Sequence, residues 1–373
     1  MPSQLFSPIR LGNLDLANRI VVAPMCQYSA HDGTMTDWHL VHLGQFALGG
    51  AALVFVEAAG VEPAGRITPG CVGLYSDDNE AAMRRVIEFY RDFGSAKIGI
   101  QLAHAGRKGS TEVPWMGGTP LPGDDPRAWA TESASALPFA GPWPTPAALD
   151  DAGLARIKDA FVQAARRALR LGFDAIELHA AHGYLFHQFL SPLSNQRNDA
   201  YGGDLAGRMR FPIEVFEAVK AVCPKDYPLG VRVSATDWVD GGWDIADTVA
   251  FAKEVQARGG AFVDVSSGGN SPLQKIAVGP GYQTAFAAQI RRETGLTTIA
   301  VGKITDPLQA ETIVASGQAD MVALARGMLY DPRWSWHAAE ALGAEAAFPP
   351  QYKRAHPTLM GEPVPGTPPA PKP

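Results

Sequence analysis

The stretch from Asp150 to Ala180 reads DDAGLARIKDAFVQAARRALRLGFDAIELHA. In its first part Ile157, Phe161, Ala164, Ala168 and Leu171 recur at helical spacing along one stripe, so the segment predicts an amphipathic helix. Asp150 or Asp151 supplies an N-cap oxygen, and Gly172 supplies a residue that tolerates the left-handed turn ending a helix. The closing residues, DAIELHA, are almost continuously apolar rather than alternating. That is the pattern of a strand covered by helices on its outer face and buried within.

Seven further runs of the same kind lie on either side: RIVVAP, ALVFVEA, KIGIQLA, PLGVRVS, AFVDVSS, TIAVGK and DMVALAR. Helical segments such as IADTVAFAKEVQARGG, FAAQIRRETG and DPLQAETIVASGQ separate the later ones. Eight repeats of strand then helix predict a (β/α)8 TIM barrel. An open doubly wound sheet would normally carry a glycine-rich fingerprint after its first strand, where this chain has APMCQYS. One insertion interrupts the rhythm after strand three, from Lys108 to about Ala148, rich in Pro, Gly, Trp and Ser. A loop of that length in a compact domain is a functional lid or a linker, and its aromatics favour a lid. We therefore expect one barrel domain over residues 1–357 with the lid at 108–148, followed by a Pro-rich tail at 358–373 that is extended or disordered.

The 373 residues are 46 % hydrophobic and 19 % charged, which excludes disordered and fibrous classes. A net charge of −6 without basic runs gives a nucleic acid nothing to hold. The N-terminus has neither a signal pattern nor a spanning stretch, so the expectation is a cytoplasmic enzyme with no membrane partner. Cys26, Cys71 and Cys223 are far apart in sequence, in no pattern that predicts a disulfide framework, a zinc site or an iron–sulfur cluster.

Active sites of such barrels gather where the strands end. The residues found there are Pro24, Met25 and Cys26, with Tyr28 beyond; Gln101 and His104; His179, His182 and Tyr184; Arg232; Ser266 and Ser267; Gly302; and Ala325 with Arg326. A guanidinium cannot shed its charge, so Arg232 inside an apolar strand requires an anionic partner, from the protein as a structural ion pair or from a ligand. The loops after strands seven and eight, VGKI and ARG, suit a phosphate: small residues let backbone N–H groups approach, and Arg326 adds bidentate charge. The H-x-x-H pair admits a metal site lacking an evident third ligand, two hydrogen-bonded core histidines, or two donors to an oxygen that gains negative charge, with Tyr184 as a nearby proton source. His187 reads as packing or capping.

Taken together, APMCQYS, IQLAHAGRKG, ELHAAHGYLFHQFLSPLSNQRNDAYGG, GVRVS and ALARG resemble the old yellow enzyme family of flavin-dependent ene-reductases, from about Leu5 to Arg354. Cysteine in PMCQYS, with Tyr28 behind it, is similar to the thermophilic-like or xenobiotic-reductase branch. The resemblance implies non-covalent FMN at the barrel mouth, with Ala23, Pro24, Met25, Cys26 and Ala58 along the ring. It also implies Gln101 on the pyrimidine edge, Arg232 where reduction places negative charge, and Gly302, Ala325 and Arg326 around the phosphate. Lys303, beside Gly302, stands where an apolar residue is expected. His179 and His182 are implied to hold a carbonyl or nitro oxygen of an activated alkene, and Tyr184 to protonate the α-carbon after hydride transfer. NADPH or NADH is implied as the hydride donor. Cys26 would tune the flavin or be an inert thiol, and Tyr28 would add a donor to the substrate oxygen. Arg354, in PPQYKRAHP, would reach a neighbouring subunit's site in a homodimer or homotetramer, although Ala355, His356 and Pro357 depart from the aromatic expected nearby. The alternatives are a dienoyl-CoA-type or nitro/xenobiotic reductase, a metal-dependent barrel hydrolase, and a barrel that binds without catalysis.

Overall fold

The computed structural model describes residues 2–355, so the expected tail at 358–373 lies outside the described residues. Eight parallel strands close into a barrel: β1 (Ile20–Val22), β2 (Leu53–Gly60), β3 (Lys97–Ala103), β4 (Ala175–Ala180), β5 (Leu229–Ser234), β6 (Phe262–Ser266), β7 (Thr297–Val301) and β8 (Met321–Leu324). They are the eight apolar runs of the sequence. Sequence neighbours pair throughout, and β8 closes the ring on β1 through Val322 opposite Ile20 and Leu324 opposite Val22. A register shift between Val56 and Ala58 on β2 turns the end of that strand.

Helices α1 (Asp37–Ala47), α2 (Asp77–Phe93), α3 (Asp151–Leu171), α4 (Leu205–Val222), α5 (Ile245–Ala257), α6 (Thr284–Thr294) and α7 (Pro307–Ala315) connect successive strands, and α8 (Trp334–Leu342) follows β8. Side-chain caps set several of their starts. Asp150 Oδ1 accepts from the Gly153 amide at 2.8 Å, Asp204 from Gly207 at 2.8 Å, and Asp306 from Gln309 at 2.8 Å. Gly172 ends α3 at φ 86°, as its sequence position required. The predicted stripe of α3 is buried, and it faces β3 and α4 rather than solvent. Each such buried Leu, Ile or Phe contributes on the order of 1.5–3 kcal/mol.

The core has two parts. Outward-facing strand residues pack against the helices, while a smaller cluster including Val21, Phe55, Phe262 and Ile299 fills the barrel interior. Leu11 and Leu16, from an antiparallel pair of short strands at Ile9–Leu11 and Leu14–Leu16, belong to that inner cluster and plug the N-terminal end. The opposite end, where strands stop, is left to polar side chains. The segment 108–148 holds two two-residue strands, Glu132–Ser133 and Ala147–Ala148, and a 3-10 turn at Pro114–Met116, but it is anchored. Arg197 Nη1 donates to Ala134 O at 2.9 Å and Leu149 O at 2.7 Å, and Ser133 Oγ donates to Gln188 Oε1 at 2.9 Å.

Candidate active site at the barrel mouth

Three rings, His179 near the end of β4 and His182 and Tyr184 from the loop after it, meet at one wall of the mouth. The His179 and His182 centroids are 5.1 Å apart, edge to face, and His179 lies 4.9 Å from Tyr184 in the same manner. His179 Nδ1 accepts from the Ala181 amide at 3.3 Å, which leaves its proton on Nε2 as a donor. His182 stands at φ 59° and is held on two sides: its amide donates to Ser234 Oγ at 2.9 Å and its Nε2 pairs with Ser266 Oγ at 2.7 Å. Burial, then the charge of Arg232, holds both imidazoles well below the usual histidine range, so both are neutral at neutral pH. Burial likewise pushes the Tyr184 hydroxyl well above the usual phenol range.

Glycine makes this wall possible. A Cβ on Gly183 would meet Gly269 O at 2.3 Å, and one on Gly269 would meet His182 Cα at 2.5 Å, so the loops after β4 and β6 lie backbone to backbone. Lys108 clasps the same junction, donating to His182 O and Gly269 O at 2.8 Å each. Its ammonium sits 5.2 Å from the Tyr184 ring centroid, and burial, then Arg107, lowers it to about 7. Sequence reasoning treated Lys108 only as the start of the insertion. His187 is fully buried with Nε2 3.0 Å from Asp237 Oδ1. His104 is likewise tied down, with Nε2 3.0 Å from Glu62 Oε1.

The β1 end runs through Ala23, Pro24, Met25 and Cys26 to Tyr28, whose φ of 52° turns the chain. Tyr28 packs edge-on against Trp115 of the insertion at 5.8 Å, which brings an insertion aromatic to this rim. The Cys26 and Cys71 side chains interact although they are distant in sequence; hydrogen bonding to Cys71, then burial, pushes the Cys26 thiol well above its usual range. Cys71, distant from Cys26 in sequence, is brought back by the loop after β2, where Ala30 N donates to Gly70 O at 2.9 Å. Both thiols are free. Ala58 is buried close by, and Glu57 is locked by the Gln27 amide at 3.0 Å and His39 Nε2 at 3.5 Å.

Deeper in the barrel, Gln101 Nε2 donates to Glu177 Oε1 at 2.7 Å, and Arg232 Nε lies 3.4 Å from Asp264 Oδ2. The protein therefore supplies Arg232 with an anionic partner of its own. Glu57, Glu177 and Asp264 were all missed from sequence, yet each is a lone carboxylate inside an apolar strand, the same signal that singled out Arg232.

Across the mouth, a cavity of 480 Å³ opens between β7 and β8, lined by Gly302, Lys303, Ala325 and Arg326 among others. Gly302 has φ 134°, and a Cβ there would press on Gln283 Nε2 at 3.0 Å, so glycine keeps this cradle open. Lys303, at φ 50°, is exposed on its rim and adds a second cation to Arg326. Arg354 is exposed in a 3-10 turn at Pro350–Ala355. Among the described residues no group of three His, Cys, Asp or Glu side chains is arranged to hold a metal ion, and no helix is long and apolar enough to cross a membrane.

Residues 4–345 match the family described as NADH:flavin oxidoreductase / NADH oxidase. The chain is 45 % identical over 356 residues to an NADPH dehydrogenase of Geobacillus thermodenitrificans, covering 95 % of this chain and 99 % of that protein. It is 44 % identical over 358 residues to an NADPH dehydrogenase of Bacillus subtilis, with coverage of 95 % and 99 %. A solved structure of morphinone reductase in complex with tetrahydroNAD superposes with a TM-score of 0.76 at 29 % identity, covering 94 % of each chain.

Proposed function

This chain belongs to the NADH:flavin oxidoreductase / NADH oxidase family, the old yellow enzyme group, and is an oxidoreductase whose cofactor is FMN; we propose that it uses NADPH or NADH to reduce the C=C bond of α,β-unsaturated carbonyl or nitro compounds. The observation that carries this reading is the convergence of His179, His182 and Tyr184 on one wall, with Arg232 opposite His179 in the register and Gln101 opposite Glu177.

The residues present fit the cofactor. The cradle that only glycine leaves open at Gly302, with Arg326 and Ala325 beside it, suits a phosphate, and Lys303 adds charge at its edge. Gln101 and Arg232 would face the polar edge of the ring, and Ala23, Pro24, Met25, Cys26 and Ala58 would line it. The chemistry that a bound FMN supplies is two-electron hydride exchange, accepting from the nicotinamide and donating to the alkene.

His179 and His182 would hold the carbonyl or nitro oxygen. Because both are neutral, they polarise it as hydrogen-bond donors and gain strength as negative charge develops there. Tyr184, kept protonated by burial, would give its proton to the α-carbon. Tyr28 would add a donor at the rim. The insertion at 108–148 would act as the lid over the mouth, with Trp115 against Tyr28. Arg354 would complete a neighbouring subunit's site in a homodimer or homotetramer. A nitro/xenobiotic reductase uses the same donors on a nitro oxygen and differs only in which substrate the lid admits.

The test is the absorbance spectrum of the purified protein, followed without oxygen through addition of NADPH and then 2-cyclohexenone. A yellow chromophore that bleaches and then recovers is expected. A colourless protein, or a colour that NADPH and NADH leave unchanged, would overturn the proposal.

A further inference from the structure

Beside His179, Arg232, Asp264, Glu177 and Gln101 form a polar layer of the barrel interior. Register places Gln101 opposite Glu177, and Arg232 between His179 and Asp264. Glu177 is 0 %, Asp264 1 % and Arg232 6 % exposed. With both carboxyls ionised, the layer holds two negative charges against one guanidinium and stands on an apolar plug that includes Phe55 and Phe262. A surplus buried charge of this kind is strongly unfavourable, and one proton removes it. Glu177 Oε2 and Asp264 Oδ1 are both buried without a hydrogen-bond partner, as two acceptors awaiting one hydrogen would be.

The two carboxyls are not equivalent. Asp264 faces the guanidinium through Oδ2, at 3.4 Å from Arg232 Nε, whereas Glu177 feels Arg232 without an ion-pair contact and is hydrogen-bonded to the neutral amide of Gln101. The charge is therefore better placed on Asp264 and the proton on Glu177. We propose that Glu177 is a positioning residue held as a neutral acid: it leaves Asp264 alone to pair with Arg232, and its Oε1 takes one N–H of Gln101, which fixes the amide and leaves its carbonyl oxygen and second N–H for a ring at the mouth. The consequence for the cofactor rests on the flavin reading above.

Burial, then the charge of Asp264, pushes Glu177 up to about 8, against the opposing pull of Arg232 and the Gln101 bond. The charged and titratable groups facing it are Asp264 from β6 and Arg232 from β5, with Gln101 from β3 as the polar neighbour and His179 two residues along its own strand. Raising the pH through that value adds a negative charge beneath the ring, which opposes its reduction. The potential of a bound flavin should therefore show an extra break near the Glu177 titration, absent in Glu177→Gln, an uncharged mimic of the protonated acid. Stability has the matching sign. A carboxyl raised above its unfolded value contributes fully only in acid and loses that contribution as pH rises.

The decisive measurement is infrared difference spectroscopy of the purified protein, with glutamate carboxyls carrying ¹³C. A protonated-carboxyl C=O band at neutral pH, sensitive to the label, lost in alkali and missing from Glu177→Gln, is the expected result. Absence of that band in the wild-type protein, or a band that survives Glu177→Gln and vanishes in Asp264→Asn, would overturn the inference. The wild-type titration needs no variant to fold. The band also needs no flavin, so a protein that proves colourless defeats the functional reading while leaving the proton on Glu177 intact.

Discussion

Tyr184→Phe removes one oxygen and leaves the ring, so its contacts with His179 at 4.9 Å and the Lys108 ammonium at 5.2 Å survive. Folding stability should change by no more than about 1 kcal/mol, the net worth of one hydrogen bond. If the hydroxyl only oriented the substrate, the same figure would slow alkene reduction about fivefold. As the proton source it is worth about a hundred- to ten-thousandfold, or roughly 3–5 kcal/mol of barrier. The two roles are therefore separable by size. Anaerobic stopped-flow absorbance resolves the half-reactions: bleaching by NADPH should stay near wild type, while recovery with 2-cyclohexenone slows by at least two decades. Because burial holds the hydroxyl well above its usual range, wild-type recovery should not fall through loss of that proton below about pH 10. Equal slowing of both half-reactions, or a loss of less than about tenfold in recovery, would refute Tyr184 as the donor.

Arg326→Ala should weaken FMN binding by about ten- to a hundredfold, the worth of a charge-assisted bond of roughly 1.5–3 kcal/mol, and leave riboflavin binding unchanged. Fluorescence titration with both ligands checks this, and an equal loss for riboflavin would remove Arg326 from the phosphate. Asp237→Ala strips the partner of buried His187 and the acceptor of Ser191 Oγ and the Trp243 amide, and urea unfolding at pH 7 should show a loss of about 3–5 kcal/mol. Burial works against ionisation of Asp237, but His187, Ser191 and Trp243 together hold it below the usual aspartate range. Its contribution is therefore present above the unfolded value and lost as pH falls through the lower folded one, so the gap between wild type and variant should close in acid.

The barrel was legible because each strand is a continuous apolar run and α3 carries both its stripe and its caps in the sequence. The mouth was legible where one residue violates its surroundings, as Arg232 does within GVRVS. By the same logic Glu57, Glu177 and Asp264 were within reach, since LVFVEA, AIELHA and FVDVS each hide one acid in an apolar strand. Lys108 and Cys71 were not. Their significance depends on where loops return, and neither periodicity nor spacing encodes the path that brings Lys108 Nζ to His182 O or the Cys71 side chain to Cys26.

The close approach of Gly183 and Gly269 bears on how this molecule could be redesigned. With a side-chain carbon at 183 or 269 set to collide with main chain at 2.3–2.5 Å, neither position can be varied without displacing His182. A saturation library across the rim should therefore return no working clones altered at these two sites and many altered at Trp115. Substrate range would then be tuned from the insertion, while the grip on the reacting oxygen stays fixed from one variant to the next.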